Sequence, residues 1–202
     1  MVGDLNYVGI FQWGVPAVAG LAGVAVGAYL TARRDKKQRR HEFVARQLKD
    51  FYSPLLAIRK ELTALGELRE RIRDAENAEW QKLCERYRNN PEALQQLSDK
   101  RGDDFGKHIE YDNKKRVEAS LPAYRRMIAI FRENMWLAEP STVACFPALL
   151  EFVDIWDRWL AKTLTREALQ SLNHTEAALY PLYDELGKKH DELREKLSRG
   201  EA

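Results

Sequence analysis

Residues Gly9 to Thr31 read GIFQWGVPAVAGLAGVAVGAYLT, a run of 23 residues without a formal charge, and ARRDKKQRR follows at once. No other stretch constrains the chain as strongly. At about 1.5 Å per residue, a helix over this run is roughly 34 Å long, enough to cross a hydrocarbon core of roughly 30 Å with some tilt. The run is therefore expected to be a transmembrane helix, with residues 1–8 as a short extracytoplasmic N-terminus. Its flanks set an orientation. Residues 1–8 carry only Asp4, whereas Arg33, Arg34, Lys36, Lys37, Arg39 and Arg40 crowd the other end. Basic residues stay on the cytoplasmic side, which predicts a single-pass protein of the inner (plasma) membrane with its C-terminal part in the cytoplasm. Those six side chains are expected to lie at the membrane surface against anionic headgroups. A secretory signal would carry its charges before the apolar run.

The run is rich in Ala, Gly and Val. Ala19, Gly23 and Gly27 recur at four-residue spacing with Gly20 beside them, and small residues let helix backbones approach closely. These four are the expected oligomerisation face.

The basic stretch 32–41 reads as a juxtamembrane linker and the rest as one domain, 42–197, with a frayed tail at 198–202. Roughly 160 residues after the linker suffice for a real core. The whole chain is +2, and residues 1–41 hold six basic against two acidic side chains, or +4, which leaves −2 for 42–202. That balance disfavours a nucleic-acid partner. Cys84 and Cys145 are far apart and are expected to be free thiols.

Periodicity is helical throughout, and no strand pattern occurs. Leu48, Phe51, Leu55, Ile58, Leu62 and Leu65 alternate steps of three and four, and Leu68 and Ile72 continue the seam. Pro54 predicts a kink or a restart capped by Ser53. Asn90-Pro91 predicts a stop and a capped start, with a short helix to Ser98, a loop over Arg101–Gly106 and a polar helix from Lys107 to Ala119. Leu121-Pro122 opens a helix running to Glu139-Pro140. Phe146–Leu164 is the most hydrophobic helix of the domain. Thr165–Asn173 is a short helix or loop, and a last helix carries Leu179, Leu182, Leu186, Leu193 and Leu197. The expected fold is all-α: one N-terminal transmembrane helix followed by an antiparallel helical bundle.

Little in the chain announces chemistry. None of His41, His108, His174 and His190 has a Glu three residues before it, as a di-iron bundle needs. No phosphate loop, GxSxG or HExxH occurs, and no cofactor or metal is expected. Glu151, Asp154 and Asp157 read as a solvated helix edge. The weak catalytic candidates are Arg101 and His108. Their spacing resembles the Arg-x(4–6)-His element of HEPN ribonucleases, small all-α domains that dimerise to build a site, and RNA cleavage there would need a cation and an imidazole at the phosphate. The resemblance covers eight residues and departs from the family pattern at Gly102 and Gly106.

Three packing motifs carry a broader resemblance: FYSPL from Phe51 to Leu55, LPAYRRMIAIFRENMWLAEP from Leu121 to Pro140, and YPLYDEL from Tyr180 to Leu186. On these the domain resembles a group of uncharacterised bacterial membrane-anchored proteins. The layout is similar to that of small membrane accessory proteins of antiviral systems, including CRISPR-associated ones. The resemblances imply an anchored helical protein with no assigned reaction. The leading expectation is a membrane-anchored, self-associating protein acting through interactions, in its specific form a membrane-disrupting or pore-forming effector in phage defence. The alternative is a membrane-tethered adaptor or sensor for a cytosolic partner, and the third is the HEPN-like ribonuclease. Expected partners are the lipid bilayer, further copies of the chain and a cytosolic protein.

Overall fold

The computed structural model describes the backbone of residues 7–200 and the side chains of residues 27–200, all helix, turn and connecting segment. Eight α-helices follow one another among the described residues: α1 (Tyr7–Arg46), α2 (Ser53–Arg86), α3 (Pro91–Lys115), α4 (Leu121–Asn134), α5 (Pro140–Val143), α6 (Phe146–Leu160), α7 (Arg166–Ser171) and α8 (Tyr180–Ser198). The all-α expectation holds. The chain divides into a smaller unit, ending at Ala45 and taking in the tail from Glu195, and a larger unit, Arg46–Arg194.

The expected membrane span is corrected. Among the described residues no helix is long and apolar enough to cross a membrane. The transmembrane helix over 9–31, the single-pass inner-membrane placement and the orientation argued from it are withdrawn together. The side chains of residues 9–26 lie outside the described residues, and so do Ala19, Gly20 and Gly23 of the expected oligomerisation face. Gly27 is exposed with nothing near its Cα substituent position. Arg33, Arg34, Lys36, Lys37, Arg39 and Arg40 are all exposed along α1, where the Arg39 Nε–H donates to the Asp35 carbonyl and Gln38 donates to Glu42 within the helix.

In the larger unit the core is built where four helices meet. The first turns of α2 supply Leu55 and Ile58, α4 supplies Leu121, Tyr124, Met127, Ile128 and Phe131, α6 supplies Leu149, Phe152, Val153 and Ile155, and α8 supplies Leu182, Tyr183, Leu186 and Leu193. Phe51 sits at the centre, edge-on to Tyr52 and to Phe131 with ring centroids 5.0 Å apart in each case, and Phe131 stacks on Phe146 at 4.8 Å. Each fully buried Leu or Phe contributes about 1.5–3 kcal/mol relative to exposure, and edge-on ring pairs add to that.

Two segments have the wider π-helical turn, Gln47–Tyr52 and Arg116–Ser120. Each stands two residues before a proline, Pro54 and Pro122. The Ser53 N–H reaches back to the Leu48 carbonyl, and the Leu121 N–H to that of Arg116. A proline ring clashes with the carbonyl four residues earlier and lacks an N–H. Widening the preceding turn by one residue lets the helical path continue. Pro54 thus produces neither the expected restart nor a Ser53 cap: the residue at the cap position is Tyr52, without a side-chain cap bond.

Asn90 caps α3 as expected, its Oδ1 accepting from the Ala93 N–H at 3.1 Å, with Pro91 in the first turn. The expected loop over Arg101–Gly106 is instead the middle of α3. Two helical glycines cost about 1 kcal/mol each, and no proline follows to turn that cost into a break. Helix α4 ends at Asn134, earlier than expected, and Met135–Leu137 continues as a tight 3₁₀ turn. Glu139, before Pro140, is extended as the proline requires.

That irregular connection is held by a buried polar knot. The Gln47 side-chain amide donates to the Leu137 carbonyl at 2.8 Å and to Glu139 Oε1 at 3.3 Å. The Tyr52 hydroxyl bonds Thr142 Oγ1 at 3.1 Å and accepts from the Glu139 N–H at 2.9 Å. Thr142 donates on to Glu185 of α8 at 3.4 Å. Gln47, Tyr52 and Thr142 are all buried, and burial raises the Tyr52 phenol above its usual pKa. Tyr52, Leu137, Glu139 and Glu185 fall within the three packing motifs, yet nothing in those motifs marks them as partners of one knot.

Candidate interaction surface: the α2–α3 arm

The apolar seam of α2 outruns the core. Leu55 and Ile58 are buried and Leu62 is half-buried, whereas Leu65, Leu68 and Ile72 are 43%, 45% and 46% exposed. At 3.6 residues per turn these three share one side of the helix with Leu83. Beyond Leu62, α2 buries nothing, and α3 has no buried residue along its whole length. The two helices form an arm that leaves the body after the first turns of α2 and rejoins it at Arg116, whose guanidinium lies 4.5 Å over the Trp156 ring of α6.

The arm's helices run in opposite directions, and long polar side chains hold them. Arg69 Nε lies 3.2 Å from Asp112 Oδ1, His108 Nε2 lies 3.3 Å from Glu76 Oε1, and the Arg101 guanidinium donates to Asn77 Oδ1 at 2.7 Å. Arg101 also lies 4.5 Å over the Trp80 ring. Reach of this kind keeps the helices apart and leaves a cleft of about 670 Å³ between them. Trp80, Leu83, Leu97 and Phe105 supply its apolar wall, and Phe105 is 61% exposed. An amphipathic helix must bury its apolar stripe against something, and the arm's own chain leaves this stripe open.

Arg101 and His108 are brought to the same cleft, on one face of α3 and about 10 Å apart along it as seven residues require. Each is fastened to α2, Arg101 by Asn77 and Trp80 and His108 by Glu76. Glu79 and Asp104 line the cleft with them, and both carboxyls are held below the ordinary range by the bonds they accept from Lys82 and Lys107. The charged lining is mixed, Glu76, Glu79 and Asp104 standing with Arg73 and Lys100 beside the pair. In this structure both side chains bond across the arm, Arg101 to Asn77 and His108 to Glu76.

The other candidates resolve into structure. Asp154 and Asp157 pair with Arg158 and Arg125 at 2.6 and 2.5 Å, the Arg125 bond spanning a second cleft of about 630 Å³ between α4 and α6. Among the described residues no group of His, Cys, Asp and Glu is arranged to hold a metal. Cys84 and Cys145 are free, and burial raises the Cys145 thiol. Glu176, before α8, accepts from the Tyr124 and Tyr183 hydroxyls at 3.0 and 3.1 Å, while Arg59 lies 3.8 Å over the Tyr183 ring. This cluster ties α2, α4 and α8 together at the root of the arm, and both phenols are pushed well above their usual pKa, by burial first.

The signal for the arm was present in the sequence as the Leu65-Leu68-Ile72 extension of the seam. That the extension outran the body was not, because periodicity records an apolar side and not what covers it. No family model, curated protein or solved structure matches the chain.

Proposed function

We propose that this protein is a helical interaction module that works by self-association, with the body as a rigid base and the α2–α3 arm as the element it presents. The observation that carries this is the exposed apolar stripe Leu65-Leu68-Ile72 with Phe105 on an arm that has no buried residue from Leu62 to Lys115. A contiguous apolar surface of this kind marks an interaction site on an otherwise charged molecule. The polar groups of the cleft are braced against each other rather than aimed at a common point, as a reacting centre would require.

Light scattering of the full-length protein after size exclusion tests the proposal. A discrete assembly heavier than the 23.4 kDa chain is expected. A monomer up to about 100 µM, a concentration at which contacts of even modest affinity are populated, would end it.

A further inference from the structure

We infer that the partner of the arm is the arm of a second copy, the two hairpins pairing about a two-fold axis into a four-helix assembly. This rests on the self-association proposed above and assigns it a surface. In the pair, the Leu65-Leu68-Ile72 stripe and Phe105 of one copy face the cleft walled by Trp80, Leu83 and Leu97 of the other. The contact is isologous, so one surface supplies both the projecting side chains and the hollow that receives them.

Three observations select this occupant. The first is size. From Leu62 to Arg86, α2 is about 37 Å long at 1.5 Å per residue, and two helices side by side present a face roughly 20 Å wide. The resulting area of about 700 Å² is close to the roughly 800 Å² per partner of a standard interface. The second is charge. Residues 65–115 hold 11 basic and 12 acidic side chains, a balance of −1. A nucleic acid or an acidic peptide would meet twelve carboxylates there, and a strongly basic partner eleven cations. A second arm, equally mixed, meets neither penalty. The third is architecture. Two helices with an open apolar cleft are half of a four-helix bundle, and two further helices at the usual 8–10 Å spacing complete it.

The test uses the full chain and two variants, Ile72→Glu and Phe105→Glu. Both positions are exposed in the single chain, so helicity by circular dichroism is expected to be unchanged. Light scattering is expected to give an even-numbered wild-type assembly and variants that associate about a hundredfold more weakly, as a carboxylate forced into a paired interface requires. Hydrogen exchange run at low and high protein concentration is expected to slow along residues 62–115 as the arms pair. Variants that keep the wild-type mass, or concentration-dependent protection confined to other segments, overturn the arm as the interface while self-association stands. A wild-type monomer overturns both.

Discussion

Replacing Tyr52 by Phe removes one oxygen atom from the knot that holds the α4–α5 connection and leaves the ring in place. That oxygen accepts from the Glu139 N–H at 2.9 Å and bonds the Thr142 hydroxyl at 3.1 Å. Thr142 keeps Glu185 at 3.4 Å as a second partner, so its loss is modest. The Glu139 N–H has no such second bond. A donor left without a partner in a buried site costs about 1–3 kcal/mol; this bond is part-buried, which holds the cost near the low end, and the lost hydroxyl bond adds a fraction of that. No cavity forms, because the ring still fills the space against Phe51. The expected destabilisation is therefore about 1–2 kcal/mol, which changes the unfolding equilibrium about 5- to 30-fold. For a chain of this length it lowers the melting temperature by roughly 2–8 °C. Urea unfolding followed by far-UV circular dichroism measures it directly. Thr142→Val and the double variant close a cycle in which about 1 kcal/mol of coupling is expected between the two hydroxyls. A loss below about 0.5 kcal/mol for Tyr52→Phe, the level of an ordinary surface change, would refute the claim that the knot holds this connection.

Other perturbations follow from the same structure. His174 lies between the rings of Phe152 and Trp156, with centroids 4.6 and 5.5 Å away, and its buried Nε2 has no hydrogen-bond partner. Burial lowers its pKa, with Glu151 opposing. The unfolded chain therefore takes up the proton first, and stability is expected to fall as the pH drops below the unfolded value of about 6.5. His174→Phe should flatten that acid limb, and an unchanged limb in urea titrations at a series of pH values would count against it. At the alkaline end, the raised Tyr124 and Tyr183 phenols keep their protons when the unfolded chain loses its own. Stability is expected to decline above about pH 10, and Tyr183→Phe should blunt the decline seen in thermal melts. Arg101→Ala and His108→Ala remove exposed braces and are each expected to cost no more than about 0.5 kcal/mol. Ribonuclease activity in the wild type that either change abolished would reverse the bracing role assigned to the pair.

The helices themselves were legible in the residues. Asn90-Pro91 and Leu121-Pro122 mark helix starts by local chemistry, and the structure places helices there. Phe51, Leu55, Ile58, Leu149, Phe152 and Leu186 were readable as core because burial follows helical spacing. The misread segments are those where a local rule met an opposing one. Two glycines marked Arg101–Gly106 as a loop, yet helix on both sides and the Lys107–Asp104 pair within it keep α3 whole. Pro54 marked a break, yet a single widened turn absorbs it. The uncharged run 9–31 suggested a membrane span, and among the described residues no helix meets that requirement. The arm was half visible: its apolar stripe is written in Leu65, Leu68 and Ile72, and its exposure is not.

By itself, then, the sequence determined the helical class, the positions of most helix starts and the identity of the central core, because these depend on residues a few positions apart. The tertiary structure alone decided which part of the α2 seam is covered. It also decided that Gln47, Tyr52, Thr142 and Glu185 meet in one knot, and that Arg101 and His108 are braced by Asn77 and Glu76. Each of those outcomes depends on groups brought together from distant parts of the chain, and helical periodicity carries no record of what stands opposite.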